Sequence, residues 1–243
     1  MDKQPLDGPD ADIAWWSGGL QSALALPASV RICGMSLAAV DFRIDGPAPG
    51  PDLPAQLARA SVKRKTEYLA GRYCAAAALK AAGCADASPP AMGEDRLPLW
   101  PAGWLGSISH GGGQAAAAVM RRPDAGTGDG LLGIDIEVLI DPASVAGIGE
   151  LVALDGELKL LAGCTPSQAL TLLFSAKEAL YKALYPAVQR FMDFSAARVS
   201  AFGPGALTLT LTEDWHPAWR AGASLSVRYA MRGEHVYTAL QAP

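Results

Sequence analysis

Nowhere in its 243 residues does the chain carry 18 uninterrupted apolar residues, and its opening, MDKQPLDGPDADIAWW, lacks the basic segment running into an apolar one that marks a secretory signal. A soluble, cytoplasmic protein with no membrane span is expected. Basic charge is short as well. The 20 Lys and Arg against 24 Asp and Glu leave a formal charge of -4, which excludes wholesale binding to nucleic acid or an anionic membrane and restricts any anion site to a local one. Cysteine is scarce: Cys33, Cys74, Cys84 and Cys164 show no CxxC spacing and no neighbouring His, so neither a zinc site nor a disulfide framework is indicated. All four are expected to be reduced and mostly packed. Two nucleotide signatures are missing too, since Gly111 to Gly113 are not followed by GK[ST] and no GxGxxG precedes a downstream acid.

What the chain does have is an apolar half, 50% of its residues, enough to fill a core in one large domain or two small ones. Pro/Gly-rich stretches begin at Asp41, Ala87 and Arg121, and the last serves as the boundary between an N-terminal half, 1–128, and a C-terminal half, 129–243. A long helix is predicted over about 55–82, with Val62, Leu69, Ala76 and Leu79 in one apolar stripe, Arg64, Tyr68 and Arg72 on another face, and Gly83 as its stop. Residues 105–120 suit two short strands around a Gly-rich turn. In LLGIDIEVL, from Leu131, apolar residues alternate with Gly133, Asp135 and Glu137, the pattern of a half-buried strand that turns both acids to one face.

The clearest helix signal runs from Thr165 to Leu184: Thr165 as N-cap, Pro166 at the first position, Gln168 completing a capping box and Pro186 ending it. Its leucines line a buried side, and Lys177, Glu178 and Lys182 cluster on another. The remaining sequence alternates like antiparallel strands. A long helix followed by a strand pair occurs once in each half, which points to a duplicated unit and an α+β fold.

Asp135 and Glu137, two apart on a strand, set two carboxylates side by side, and Glu178 supplies a third. Oxygen ligands of this kind suit Mg2+, which keeps waters and takes phosphate oxygens from a substrate. Taken alone, D-x-E is more often the solvent face of an edge strand, and Glu178 with Lys182 at i, i+4 is ordinarily a surface ion pair. His110 follows a strand and precedes three glycines, where backbone can approach a ligand and imidazole can contact an anion, although a lone His is usually structural. Lys63, Arg64, Lys65 and Arg72 form a basic cluster suited to a polyphosphate, the arginines by bidentate grip. The same acids would equally serve a magnesium-dependent phosphohydrolase, or survive in a non-catalytic binding module.

Four blocks in order, KRKTEYLAGR (63–72), LWPAGWLGSISHGGG (99–113), GIDIE (133–137) and LLFSAKEALYK (172–182), resemble the phosphopantetheinyl transferases of the enterobactin-synthase type. The resemblance implies two pseudo-symmetric α+β halves with the active site in the cleft between them. It implies Asp135, Glu137 and Glu178 as magnesium-binding acids, Glu178 as general base and Lys182 as the catalytic lysine near the coenzyme A pyrophosphate. Lys177, in the same motif, is expected to contact phosphate. Arg64, Arg72, Ser109 and His110 join Lys182 in the coenzyme A site, His110 toward the 3'-phosphate, and Arg96 is the candidate for a nucleotide contact before the W-P segment. The implied partner is an apo acyl or peptidyl carrier protein of siderophore or secondary-metabolite synthesis, served by a monomer. Phe191, Met192 and Phe194 are candidates for its docking rim, with at least two of them expected in the core.

Overall fold

The computed structural model describes residues 17–37, 53–123 and 130–242. Two antiparallel sheets carry the fold. The first has β1 (Val30–Ser36), β2 (Trp104–Gly111) and β3 (Gln114–Arg121) in the order β1-β3-β2. The second has β4 (Leu131–Val138), β5 (Ala197–Gly203), β6 (Ala206–Leu211), β7 (Ser224–Arg232) and β8 (His235–Ala242) in the order β4-β8-β7-β6-β5. Helices α1 (Ser17–Ala23), α2 (Val62–Ala81), α3 (Val145–Val152), α4 (Glu157–Leu160) and α5 (Pro166–Val188) complete the described elements. A strand, a helix and a hairpin occur in this order twice, as β1-α2-β2-β3 and, with β5 and β6 inserted after the helix, as β4-α5-β7-β8, and in each case the opening strand pairs with the closing one. The α+β class stands, and the repeated unit includes a leading strand that periodicity did not pick out. The expected boundary between residues 128 and 129 lies outside the described residues, as does most of the Pro/Gly-rich stretch from Asp41.

The β2-β3 hairpin closes through Gly112 and Gly113, both at positive φ (56° and 75°), the two-residue turn whose twist matches the strands it joins. Beyond it, four consecutive alanines make β3 thin on both sides. Ala115 and Ala117 lie under α2, while Ala116 and Ala118 face Leu20, Leu24, Leu132, Ile134 and Ile136.

Helix α2 begins later than its periodicity suggests. A separate short helical turn occupies Ala55–Leu57, and α2 starts after Ser61, whose hydroxyl accepts from the Arg64 N–H at 3.2 Å. The expected apolar stripe is displaced: Val62, in the first turn, is 66% exposed, while Tyr68 and Arg72 are buried along with Leu69 and Leu79. Helix α5 has the full capping box between Thr165 and Gln168, but it passes through Pro186 to Val188 and closes on Gln189 in the left-handed conformation. A proline so close to the end forgoes only one bond, to the Lys182 carbonyl, so it bends nothing that a longer helix would need.

Strand β4 is not half-buried as its alternation suggests. Leu132, Ile134 and Ile136 pack into the core with α1 and β3, and the opposite face, carrying Gly133 and Asp135, lies beneath α5. A Cβ at Gly133 would collide with the Ala179 carbonyl and sit 2.8 Å from the Ala183 nitrogen, so glycine is what lets α5 lie this close. That contact fixes the register of the acids against the helix. Of the three residues after α5, Phe191 is 78% exposed while Met192 and Phe194 join the core. None of the four cysteines is in a disulfide. Among the described residues no helix is long and apolar enough to cross a membrane.

Candidate active site

The sheets meet along β2 and β4, and two serines do the joining. Period-two alternation turns Ser107 and Ser109 to the same side of β2, where their hydroxyls accept from the backbone N–H groups of Ile134 (3.0 Å) and Ile136 (3.2 Å). The unpaired edge of β4 is thereby satisfied without another strand. Ser109 also donates to Asp135 Oδ1 at 2.9 Å. Lys182 of α5 completes the group, its Nζ 2.6 Å from Asp135 Oδ1 and 2.9 Å from Ser109 Oγ. Asp135 is 3% exposed, yet its second carboxylate oxygen, Oδ2, is buried with no hydrogen-bond partner. An orphaned carboxylate oxygen inside a protein is costly unless something positive meets it.

Glu137 and Glu178 feel the same crowding. Burial pushes the Glu137 carboxyl up to about 7, and the Asp135 and Glu178 charges push the same way against the pull of Lys182. Glu178 is raised chiefly by burial, with Lys182 opposing and Asp135 adding to the rise. Both carboxyls thus lie within electrostatic reach of Asp135 and of Lys182. Among the described residues no three His, Cys, Asp or Glu are arranged as a ready-made metal cage. The donor set nevertheless fits a hard divalent cation, which needs only one or two carboxylates when substrate oxygens and waters fill the other positions, and the free Oδ2 of Asp135 is such a donor.

The second cluster joins α2 to β2. A Cβ at Gly71 would lie 2.6 Å from the Ile108 side chain, so glycine again permits the close approach. Arg64 Nη1 reaches His110 Nε2 at 2.8 Å. Glu67 lies between the basic groups: its carboxylate is 3.5 Å from Arg64, 3.7 Å from His110 Nδ1 and 4.0 Å from Lys63. Two of the three glycines after His110 serve packing between strands. A Cβ at Gly111 would strike the Ile136 carbonyl and one at Gly112 would strike Val138 and His235, so these two glycines let the hairpin press on β4.

Three expected residues, Lys177, Arg72 and Arg96, make no side-chain hydrogen bond or ion pair to either cluster. Lys177 is buried and spends its three donors on Glu157 (2.8 Å) and the carbonyls of Val152 (3.0 Å) and Phe194 (2.8 Å), so it is not available to a phosphate. Helical geometry gives the reason, since Lys177 is about 140° around α5 from Lys182. Glu157 in turn accepts from Leu154 N and Val199 N, tying α4 to β5. Arg72 is 4% exposed, its guanidinium 4.8 Å from the Tyr68 ring centroid and its Nε without a hydrogen-bond partner, while Arg64 is half-exposed, so the two arginines do not share one surface. Arg96 is exposed on a turn beside Leu97 and Pro98. Glu67, Ser107 and Glu157 went unread in the sequence. Only Glu67 carried a signal, its i, i+3 and i, i+4 spacing from Arg64 and Lys63.

A groove of about 350 Å3 has Lys182 on its lining. Trp100, Leu105 and Ile108 line one wall, and Leu131, Tyr181, Tyr185 and Trp219 the other. A cavity of about 410 Å3, lined by Arg31, Trp104 and Arg121 among others, contains none of the site residues. The apolar lining of the groove can receive an extended, largely uncharged chain, with the Lys182 ammonium able to meet a phosphate.

Residues 53–120 match the model of the 4'-phosphopantetheinyl transferase N-terminal domain, and residues 131–239 that of the 4'-phosphopantetheinyl transferase superfamily. The chain is 44% identical to enterobactin synthase component D of Escherichia coli (strain K12) over 133 residues, which are 53% of this chain and 59% of that one. It is 34% identical to enterobactin synthase component D of Salmonella typhimurium over 189 residues, 77% and 76% of the two chains. It is 32% identical to 4'-phosphopantetheinyl transferase PptT of Mycobacterium tuberculosis over 188 residues, 75% and 78%.

Proposed function

The chain belongs to the 4'-phosphopantetheinyl transferase superfamily, and from that premise we propose that it transfers the phosphopantetheine group of coenzyme A to a serine of an apo acyl or peptidyl carrier protein, releasing 3',5'-ADP. The observation that carries this reading is the pairing of Lys182, which lines the groove, with a buried Asp135 whose second oxygen has no hydrogen-bond partner. A magnesium ion held by Asp135 and Glu178, with Glu137 directly or through water, would supply charge neutralisation of the pyrophosphate.

The remaining work falls to the chain's own groups. The carrier serine hydroxyl attacks the phosphorus bonded to pantetheine; a new P–O bond forms as the bond to the bridging oxygen breaks, and the electron pair leaves with 3',5'-ADP. A serine hydroxyl is too weakly acidic to ionise unaided. Its proton passes to Glu178, directly or through a bound water, as attack proceeds. Lys182 turns its ammonium to the leaving phosphate and offsets the charge developing there. Ser109 holds Asp135 in register with the helix, and Arg64 and His110 bind the far phosphate of the donor. The groove takes the pantetheine arm. We assign the contributing halves as 1–128 and 129–243, and the active species as a cytoplasmic monomer serving siderophore or secondary-metabolite synthesis.

Release of 3',5'-ADP from coenzyme A and Mg2+ tests the reading, with and without an apo carrier protein. Release that requires the carrier supports transfer, whereas equal release without it identifies a phosphohydrolase and rejects the proposal.

A further inference from the structure

Glu67 is the acidic residue of the α2-β2 cluster, and the reaction above gives it no work. It is nearly buried, its side chain 13% exposed, and it faces His110, Arg64 and Lys63 at once. Arginine has only donors, so the 2.8 Å contact from Arg64 Nη1 makes His110 Nε2 an acceptor, and the single ring proton of this neutral imidazole sits on Nδ1, the nitrogen that faces Glu67. A ring in this state presents a lone pair where a phosphate oxygen needs a hydrogen.

Four charged groups bear on that ring: Glu67 and Arg64 from α2, Asp135 from β4 and Lys182 from α5, while Lys63 pairs with Glu67 from the same helix. Burial lowers the tendency of His110 to protonate, Glu67 and Asp135 favour the imidazolium, and Arg64 and Lys182 oppose it. An arriving phosphate dianion tips this balance. It draws the Arg64 N–H away from Nε2, Nε2 takes a proton from solvent and donates it as a hydrogen bond to the phosphate, and Nδ1–H is left facing the Glu67 carboxylate.

We propose that Glu67 is a positioning residue that fixes the His110 ring with Nδ1–H inward and stabilises the imidazolium that forms when a phosphate monoester binds between Arg64 and His110, so that donor binding takes up a proton. This rests on the coenzyme A reading given above. A phosphate monoester has its second pKa near ~6, so at pH 7.5 the ligand already arrives as the dianion and the proton is taken up by the protein.

Calorimetric titration of the whole protein with 3',5'-ADP, and separately with 5'-ADP, at pH 7.5 in two buffers of different ionisation enthalpy reads the proton count. Uptake of about one proton is expected with 3',5'-ADP and much less with 5'-ADP, which lacks the 3'-phosphate. In Glu67→Gln the uptake falls toward zero and Kd for 3',5'-ADP rises about tenfold, while Glu67→Asp restores part of both. With coenzyme A and a carrier, Glu67→Gln raises KM for the donor and leaves kcat at saturation nearly unchanged. Binding of 3',5'-ADP by the unmodified protein without proton uptake overturns the inference, which needs no variant to fold, and so does undiminished uptake in Glu67→Gln. If neither 3',5'-ADP nor coenzyme A binds, the coenzyme A reading itself fails and the inference with it.

Discussion

Raising the pH of the metal-free protein should destabilise it, and Mg2+ should reverse the loss. The cause is Glu137, whose carboxyl is held near about 7 in the fold, mainly by burial, against an ordinary 4.5. Between these values the folded chain binds more protons than the unfolded one. The contribution to stability is therefore complete below about pH 4.5 and is lost as pH rises through about 7. Each pH unit of such an interval is worth about 1.4 kcal/mol, and because Glu137 is partly exposed, solvent screening brings the expected loss to about 1–2 kcal/mol. For a chain of this size that is roughly 2 to 8 °C in Tm. Glu178, also raised, adds loss of the same sign, whereas His110, lowered by burial, gains stability as pH rises, so the quantity to read is the difference between the protein and Glu137→Gln. Thermal unfolding from pH 5 to 8, with and without Mg2+, supplies it. The variant should lose less stability on going to pH 8, and Mg2+ should stabilise the unmodified protein more at pH 8 than at pH 5. A pH response identical in the two proteins, or equal Mg2+ stabilisation at both ends, would refute the reasoning.

Glu178→Gln and Lys182→Ala should each cut transfer by a factor of about a hundred or more while circular dichroism stays native; near-normal turnover in either removes it from the assigned role. Lys177→Met should cost about 3–5 kcal/mol in urea unfolding, because it strands the buried Glu157 carboxylate, yet leave KM for coenzyme A unchanged in whatever protein folds. Gly133→Ala should lose at least about 1–3 kcal/mol, since its methyl meets α5 backbone that cannot move aside; a Tm within a degree of the parent would contradict the packing described.

Local signals were the easiest to read. The capping box at Thr165, the two-residue hairpin at Gly112 and Gly113, and the D-x-E strand all lie where nearest-neighbour chemistry puts them. Four of the residues given chemical roles, Ser109, Asp135, Lys182 and, beside them, His110, are brought to the junction of β2, β4 and α5 or to its rim. What failed was directional. Lys177 sits one residue from Glu178, and a motif read as a string does not say that a 100° step takes it into the core with a partner, Glu157, twenty residues back. Burial of β4 on both faces depends on α1 and α5 arriving from distant sequence, which alternation alone does not encode. The glycines after His110 carried a real signal of close approach, but the surface approached is β4.

Intact mass of a panel of apo carrier proteins, each incubated with this protein, coenzyme A and Mg2+, bears most directly on the transferase reading. Addition of one phosphopantetheine to at least one carrier, abolished by substituting its acceptor serine, is the predicted result. Carriers that all keep their original mass, while coenzyme A is consumed to 3',5'-ADP in their absence, would contradict it.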